Sequence, residues 1–338
     1  MSAPDLRQAQ ILMTLAGLAY GQRSELPRYL AEDALTAGDF ELVWTPDAAQ
    51  SPDNFALLVK SKTTGGYALA IRGAYPNPLS SAYWTDGEED SPFGTMQPWR
   101  AAEKIGAKVS AGTFRGFQTL VNLSDGTRTL ASSLKALEPG ARLSVTGHSL
   151  GGTLAPVVAL WLSERRSDVD LLVVAFAGMT PGNLAFRSLF GYGAPLNGRV
   201  FRYNNTLDSV GYGWDRVLST WSFFKPRPRG GPLVQLFLLV TSIRLWFYGY
   251  AAIGAETRLI GALKPPATKS DLISYVIETL EQHLPDNYLA LLGAPKLPFD
   301  IGFGSVVSEN VTPGPSGGSP RGRKVYFTRA TTLHRLQY

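Results

Sequence analysis

Residues 143–162 read LSVTGHSLGGTLAPVVALWL. Leu143–Thr146 ends a hydrophobic run of strand character, Gly147-His148-Ser149-Leu150-Gly151 fits G-x-S-x-G, and an apolar helical run follows at once. In a strand–turn–helix setting that motif is a nucleophile elbow. The glycines answer a space requirement: strand and helix nearly touch two positions either side of the serine, where a side chain would not fit. Ser149 is thereby lifted above the sheet edge at a helix N-terminus, where free N–H groups and the helix dipole favour negative charge. Five letters alone are a weak signal. The flanking strand, the flanking helix and the additional Gly152 make this one specific.

Outward from the elbow, the pattern is one of strands alternating with helices. Upstream, Phe40–Trp44, Phe55–Lys60 and Tyr67–Ile71 read as strands separated by Pro, Asp, Asn and Gly. Arg72-Gly73-Ala74 closes the third, and a Pro/Ser/Asp-rich loop carrying Trp84 runs on to about Pro98. A helix is expected over Phe117–Leu137, before Pro139-Gly140 resets the chain for the elbow strand. Downstream, Leu171–Phe176 is wholly apolar, as in strands buried on both faces, and Arg199–Tyr203 is another strand. The alternation implies an α/β fold with a mostly parallel central sheet flanked by helices. Residues 5–20, DLRQAQILMTLAGLAY, have the length of a signal peptide. However, Asp5 offsets Arg7 and no small-x-small site clearly ends the run. They are read as an amphipathic first helix of a mature domain, which leaves secreted and cytoplasmic locations both open.

With 338 residues, 44% of them hydrophobic and 17% charged, the chain can bury a sizeable core and is not disordered. It is read as a single domain, 1–338. The absence of cysteine excludes disulfides, thiolate metal sites and cysteine nucleophiles together. The net charge of +5 is concentrated: residues 209–264 hold seven basic side chains against Asp215 and Glu256, a surplus equal to that of the whole chain. The same segment is crowded with aromatics, among them Trp221, Phe237, Trp246 and Phe247. No nucleic-acid recognition motif accompanies them, so the segment is read as a basic, aromatic cap insertion that meets lipid. Within it Leu233–Ile253 is long enough to span a bilayer, but Gln235, Thr241, Ser242, Arg244 and Gly249 interrupt it. Cap, buried core and membrane anchor stand as its readings in that order. Residues 312–324 form a Gly/Pro/Ser/Arg tail loop, with Val325–Thr328 a candidate last strand.

A serine hydroxyl needs a base to take its proton, and the base needs orienting. On an elbow of this kind the partners follow in the order Ser, acid, His. Asp208 follows the strand VFRYNN at its C-terminal end, where such sheets place their chemistry; Asp215 is the second candidate. Asp168 and Asp170 precede a strand and are read as solvated. The chain has three histidines. His148 adjoins Ser149 in a tight turn, so its ring points elsewhere and it is read as a packed elbow residue. His283, in EQHLPDNYLALL, is read on a loop between two capped helical runs, from which it can reach a distant serine. His334 lies near the terminus, where chains fray. His283 is preferred. Oxyanion donors would be the backbone N–H of Leu150, which follows the serine, and that of Ala74, after the third strand.

With these residues in view, the chain resembles the class 3 (fungal-type) lipases of the α/β-hydrolase superfamily. VTGHSLGGTLA is close to that family's elbow, and RGA stands where the family has RGT or RGS. FAGMTPGN, NNTLDSV and HLPDNY are similar to its FG-x-P-x-x-GN, acid and H-x-x-x-x-Y segments, in the family's order from roughly residue 67 to 290. The resemblance implies an esterase or lipase with Ser149, Asp208 and His283 as triad, Ala74 and Leu150 as oxyanion donors, and a lid over 75–98. It implies no metal or organic cofactor and a lipophilic ester substrate at a lipid–water interface. A phospholipase A1 or a short-chain carboxylesterase is the alternative, and a non-catalytic lipid-binding protein on the same scaffold the rival from another class. Neither the oligomeric state nor the acyl preference is written in the sequence. Two departures stand out: Ala74 lacks the hydroxyl a threonine or serine would add, and Pro156 removes a backbone bond from the elbow helix.

Overall fold

The computed structural model describes residues 3–47, 54–74, 94–225, 227–265, 268–302 and 305–309. Asp5 caps the first helix, its side chain accepting from the Gln8 N–H, and α1 (Leu6–Leu18) follows. Helices α2 (Leu26–Ala31) and α3 (Asp33–Thr36) lead to strands β1 (Phe40–Trp44), β2 (Ala56–Ser61) and β3 (Tyr67–Ile71). A two-stranded ribbon, β4 (Gln97–Pro98) and β5 (Lys108–Val109), precedes α4 (Ala111–Asn122) and α5 (Leu130–Lys135). The elbow joins β6 (Arg142–His148) to α6 (Leu150–Ser163); then come β7 (Asp170–Phe176), α7 (Leu184–Ser188) and β8 (Val200–Asn205). Last are α8 (Gly231–Trp246), β9 (Ala255–Leu259), α9 (Asp271–His283), α10 (Pro285–Leu292) and the hairpin β10 (Phe299–Gly302) and β11 (Ser305–Glu309).

The main sheet has the order β1-β2-β3-β6-β7-β8-β9. β1, β2 and β3 pair antiparallel, and from β3 to β9 every pairing is parallel. This is the α/β-hydrolase arrangement expected from the alternation of elements. Both faces are covered, and alternation along each strand decides which residue joins which core. Leu69, Ile71, Val145 and Val173 pack beneath α4 and α6. Ala68, Ala70, Leu172 and Val174 pack beneath α1 and α10. All fourteen residues of α6 are buried, Pro156 included. A helix enclosed on every side can be apolar all round.

Several sequence expectations change. The single helix expected over Phe117–Leu137 is two, because Ser124 and Thr129 form a bridge and the Asp125 carboxylate gathers the N–H groups of Thr127 and Arg128. The proposed cap insertion 209–264 is not all cap, since Ala255–Leu259 pairs with β8 as an edge strand of the sheet. Of the lid expected at 75–98, residues 75–93 lie outside the described residues, and Gln97–Pro98 is strand β4. The tail loop 312–324 and the strand expected at Val325–Thr328 also lie outside them. The Leu233–Ile253 stretch is largely the surface helix α8, with Thr241, Leu245, Tyr250 and Ile253 buried, and among the described residues no helix is long and apolar enough to cross a membrane. The run 5–20 holds α1 as a helix of the domain, but from Leu12 to Leu18 it is buried on every side rather than amphipathic. The helix is tied to the sheet by Thr146 Oγ1 donating to the Leu12 carbonyl at 3.4 Å, and to α10 by Gln10 Nε2 donating to the Leu292 carbonyl at 2.8 Å.

Candidate active site

The elbow packs backbone against backbone. A Cβ on Gly151 would stand 2.1 Å from the Ile71 carbonyl oxygen, one on Gly147 2.4 Å from Gly151, and one on Gly152 2.6 Å from the Phe176 carbonyl oxygen. None of these neighbours is a side chain that could swing aside, so all three positions exclude any side chain. Ser149 is held at φ 59° and ψ −126°, a conformation that costs a residue with a Cβ about 1–3 kcal/mol. The surrounding packing maintains it, and the Ser149 N–H donates to the Phe176 carbonyl at 3.0 Å.

The parallel strands β3, β6, β7 and β8 all end at this edge of the sheet, so residues far apart in sequence emerge side by side. Asp208 lies just past β8. Its turn is closed by the Leu207 N–H donating to Asn205 Oδ1 at 3.0 Å and by the Asp208 N–H donating to the Asn205 carbonyl at 3.1 Å. His283 is the last residue of α9 rather than part of an interhelical loop. Pro285 forces Leu284 into an extended conformation, so the helix ends at His283 and α10 begins directly after Leu284. Asn205 fixes this junction by donating through Nδ2 to the Gln282 carbonyl at 2.9 Å and to Gln282 Oε1 at 2.7 Å.

Three side chains meet as a result. His283 Nε2 lies 2.8 Å from Ser149 Oγ, and His283 Nδ1 lies 2.9 Å from Asp208 Oδ2. Asp208 is fully buried, yet both oxygens are engaged: Oδ2 also accepts from the Tyr288 hydroxyl at 2.8 Å, and Oδ1 accepts from the Val210 N–H at 2.9 Å. A buried carboxylate is tolerable only with such a complement of donors. Burial and the neighbouring Asp208 charge push the Tyr288 hydroxyl well above the usual tyrosine range. It therefore stays protonated and remains a donor. It accepts in turn from the Asn205 N–H at 3.0 Å.

The other candidates lie apart. Asp215 takes a hydrogen bond from Thr180 Oγ1 at 2.9 Å and lies 3.5 Å from Arg216, away from His283. Asp168 pairs with Arg166 and Asp170 with Arg199. His334 lies outside the described residues. Leu150 opens α6 directly after the serine, with its N–H at the free end of the helix. Ala74 follows Gly73, whose own Cβ position is only 2.8 Å from that of Ser149. Both candidate oxyanion donors thus flank the serine. Among the described residues no group of three or more His, Cys, Asp or Glu side chains could hold a metal ion.

Sequence reasoning missed the second histidine's partners. His148 is buried, with its Nε2 2.8 Å from the His283 carbonyl and its Nδ1 3.0 Å from the Tyr20 hydroxyl. A carbonyl only accepts, so Nε2 carries the proton and Nδ1 accepts from Tyr20. His148 thereby holds the backbone of the residue whose ring reaches Ser149. Nothing local in the sequence ties Tyr20, at the exit of α1, to the elbow. Burial, and secondarily the neighbouring His283, push the His148 imidazole well below its usual value of 6.5. The unfolded chain therefore takes up a proton near pH 6.5 that the folded one refuses, and stability is lost as pH falls from there toward the folded-state value. The expected slope is up to about 1.4 kcal/mol per pH unit. Denaturant melts of native and His148→Gln protein between pH 5 and 7.5 should differ by that slope, with the variant the flatter.

This sheet topology is that of the α/β-hydrolase fold, and it brings Ser149, His283 and Asp208 together at the C-terminal ends of its strands. Residues 70–211 match the class 3 lipase family, and across that stretch the chain is class 3 lipase-like. Among solved structures it is similar to M37 lipase, with a TM-score of 0.65 and 24% identity over 85% of this chain and 91% of that one. It is also similar to the lipase from Rhizopus microsporus var. chinensis (TM-score 0.52, 19% identity, 83% and 88% covered). A third is the Rhizomucor miehei triacylglyceride lipase (TM-score 0.51, 16% identity, 77% and 82% covered). At these identities the structural likenesses speak for the fold.

Proposed function

We propose that the protein hydrolyses lipophilic carboxylic esters, acylglycerols foremost, through a Ser149–His283–Asp208 triad and an acyl-enzyme. The observation that carries this reading is the unbroken hydrogen-bonded chain from Ser149 Oγ through the His283 ring to Asp208. Ser149 Oγ attacks the ester carbonyl carbon while its proton passes to His283 Nε2. The resulting oxyanion is received by the backbone N–H groups of Leu150 and Ala74. The tetrahedral adduct collapses, the C–O bond to the alcohol breaks, and His283 returns the proton to the leaving oxygen. Water, deprotonated by His283, then attacks the acyl-enzyme, and the acid departs with Ser149 restored. Asp208 holds His283 in the tautomer with its proton on Nδ1 and stabilises the imidazolium that forms.

Ala74 has no side-chain hydroxyl to add to the hole, so the oxyanion would rest on backbone donors. One such donor is worth about 3–4 kcal/mol of barrier. The substrate class is supported by the aromatic and basic character of residues 209–254. Labelling with a fluorophosphonate tests the reading. Covalent mass gain is expected on the native protein and none on Ser149→Ala. Folded native protein that stays unlabelled would favour a non-catalytic binding role. A panel of esters of increasing acyl length, with and without an emulsion, would then separate lipase from phospholipase and carboxylesterase.

A further inference from the structure

Helix α8 is apolar on most of its circumference, with Gln235, Thr241, Ser242 and Arg244 the exceptions, yet it is not enclosed as such a helix usually is. Only one stripe of it meets the body of the protein: Val234 and Leu238 are half-buried, Thr241 and Leu245 buried. Leu245 and Leu238 join a small cluster with Val217, Trp214 and Tyr250. The opposite side carries Leu236, Leu239, Val240 and Ile243 in solvent, with Phe237 66% exposed, and Trp246 and Phe247, at the helix end, 77% and 76% exposed. Trp221, on the 3₁₀ turn against which α8 packs, is 52% exposed. Contiguous exposed apolar surface of this kind marks a binding face.

The charge along this stretch of the chain is one-signed. Between Val217 and Gly254 stand Lys225, Arg227, Arg229 and Arg244, and not one acidic residue. Arg227, 72% exposed, has an acidic side chain on another element, Asp271, at 3.9 Å. A second copy of this chain would fit poorly, because a two-fold interface through α8 would set the same four cations against one another. Helix α8 is also too short to cross a bilayer: sixteen residues reach about 24 Å, against the roughly 20 residues a span requires.

We propose that α8 is a monotopic anchor. Its outward face lies in the boundary between headgroups and acyl chains of an anionic bilayer, with Trp221 and Trp246 at the interface and the basic side chains on the lipid phosphates. This goes beyond the hydrolytic reading and does not depend on it, since docking needs neither Ser149 nor His283.

The test is co-sedimentation with phosphatidylcholine vesicles, with and without phosphatidylglycerol, using full-length Ser149→Ala protein so that no lipid is consumed. Phosphatidylglycerol is expected to tighten binding at least about 10-fold, and raising the salt to reverse that gain. Phe237→Asp combined with Ile243→Asp is expected to weaken binding by about 100-fold or more. In the otherwise native protein the same pair should leave turnover of a soluble short-chain ester within about twofold. Should that pair fail to fold, Arg227→Gln with Arg229→Gln changes only exposed charges, and about a 10-fold loss of the phosphatidylglycerol preference is expected. Equal binding to both vesicle types overturns the proposal. So does no vesicle binding at all, including the case where the protein instead sediments as a dimer that Phe237→Asp dissociates.

Discussion

Ser149→Gly and Ser149→Ala are both expected to lower kcat on a soluble ester by about 10⁵-fold or more, yet to differ in stability. Either change removes the nucleophile and the 2.8 Å contact with His283 Nε2, so their loss of activity should match. They part on the backbone. Ser149 sits at φ 59° and ψ −126°, where a Cβ is crowded and glycine is not. Relief of that strain is worth about 1–3 kcal/mol, against about 0.5–1 kcal/mol for the extra freedom glycine has when unfolded. The strain term is the larger. Ser149→Gly should therefore unfold at higher denaturant than Ser149→Ala, by about 1 kcal/mol, in chemical melts of the two. Retained turnover in either variant would remove Ser149 from the mechanism, and an Ala variant as stable as the Gly variant would mean that the elbow stores no strain.

Asp208→Asn is expected to lower kcat about 10³- to 10⁴-fold, with KM changed much less. The amide has no orientation that suits this pocket. With its oxygen left toward His283 Nδ1 and the Tyr288 hydroxyl, its NH₂ faces the Val210 N–H, donor against donor. Rotated to accept from Val210, it presents an NH₂ to His283 Nδ1. The imidazole must then carry its proton on Nε2, facing Ser149 Oγ, where it cannot receive another. In both orientations the negative charge that stabilises the imidazolium is gone. Steady-state kinetics on a soluble ester, beside a melt to confirm folding, make the comparison. A loss below about 10-fold would assign Asp208 a structural role only.

How legible all this was in the sequence varies with the range of the interaction involved. Strand β1, Phe40–Trp44, and strand β3, Tyr67–Ile71, have the limits expected from their hydrophobic runs, and β7 differs by one residue. Short apolar runs between turn residues define themselves locally. The helix expected over 117–137 broke because the Asp125 turn competes with helix through side-chain bonds to its own backbone, a pattern hydrophobic periodicity does not register. β9, AETRL, was absorbed into the cap because an exposed edge strand carries no core-facing run, and only its pairing with β8 defines it.

The same division runs through the site. Ser149, Asp208 and His283 were named from residue type, order and position relative to strand ends, because an elbow on a parallel sheet constrains where its partners can stand. Tyr288 was visible only as part of a motif. Tyr20, the Asn205–Gln282 clamp and the hold of His148 on the His283 carbonyl were not visible at all. Each of these contacts joins elements that meet only once the sheet is built.

By itself, then, the sequence determined the elbow, the parallel sheet and which residues could serve as nucleophile, acid and base, since these follow from local sterics and chain order. Tertiary structure alone decided that the His283 ring meets Ser149, that a buried neutral histidine props its backbone, and that the strongly apolar helix α8 faces outward. Those depend on which surfaces the folded body leaves room to cover, and no window of neighbouring residues contains that information.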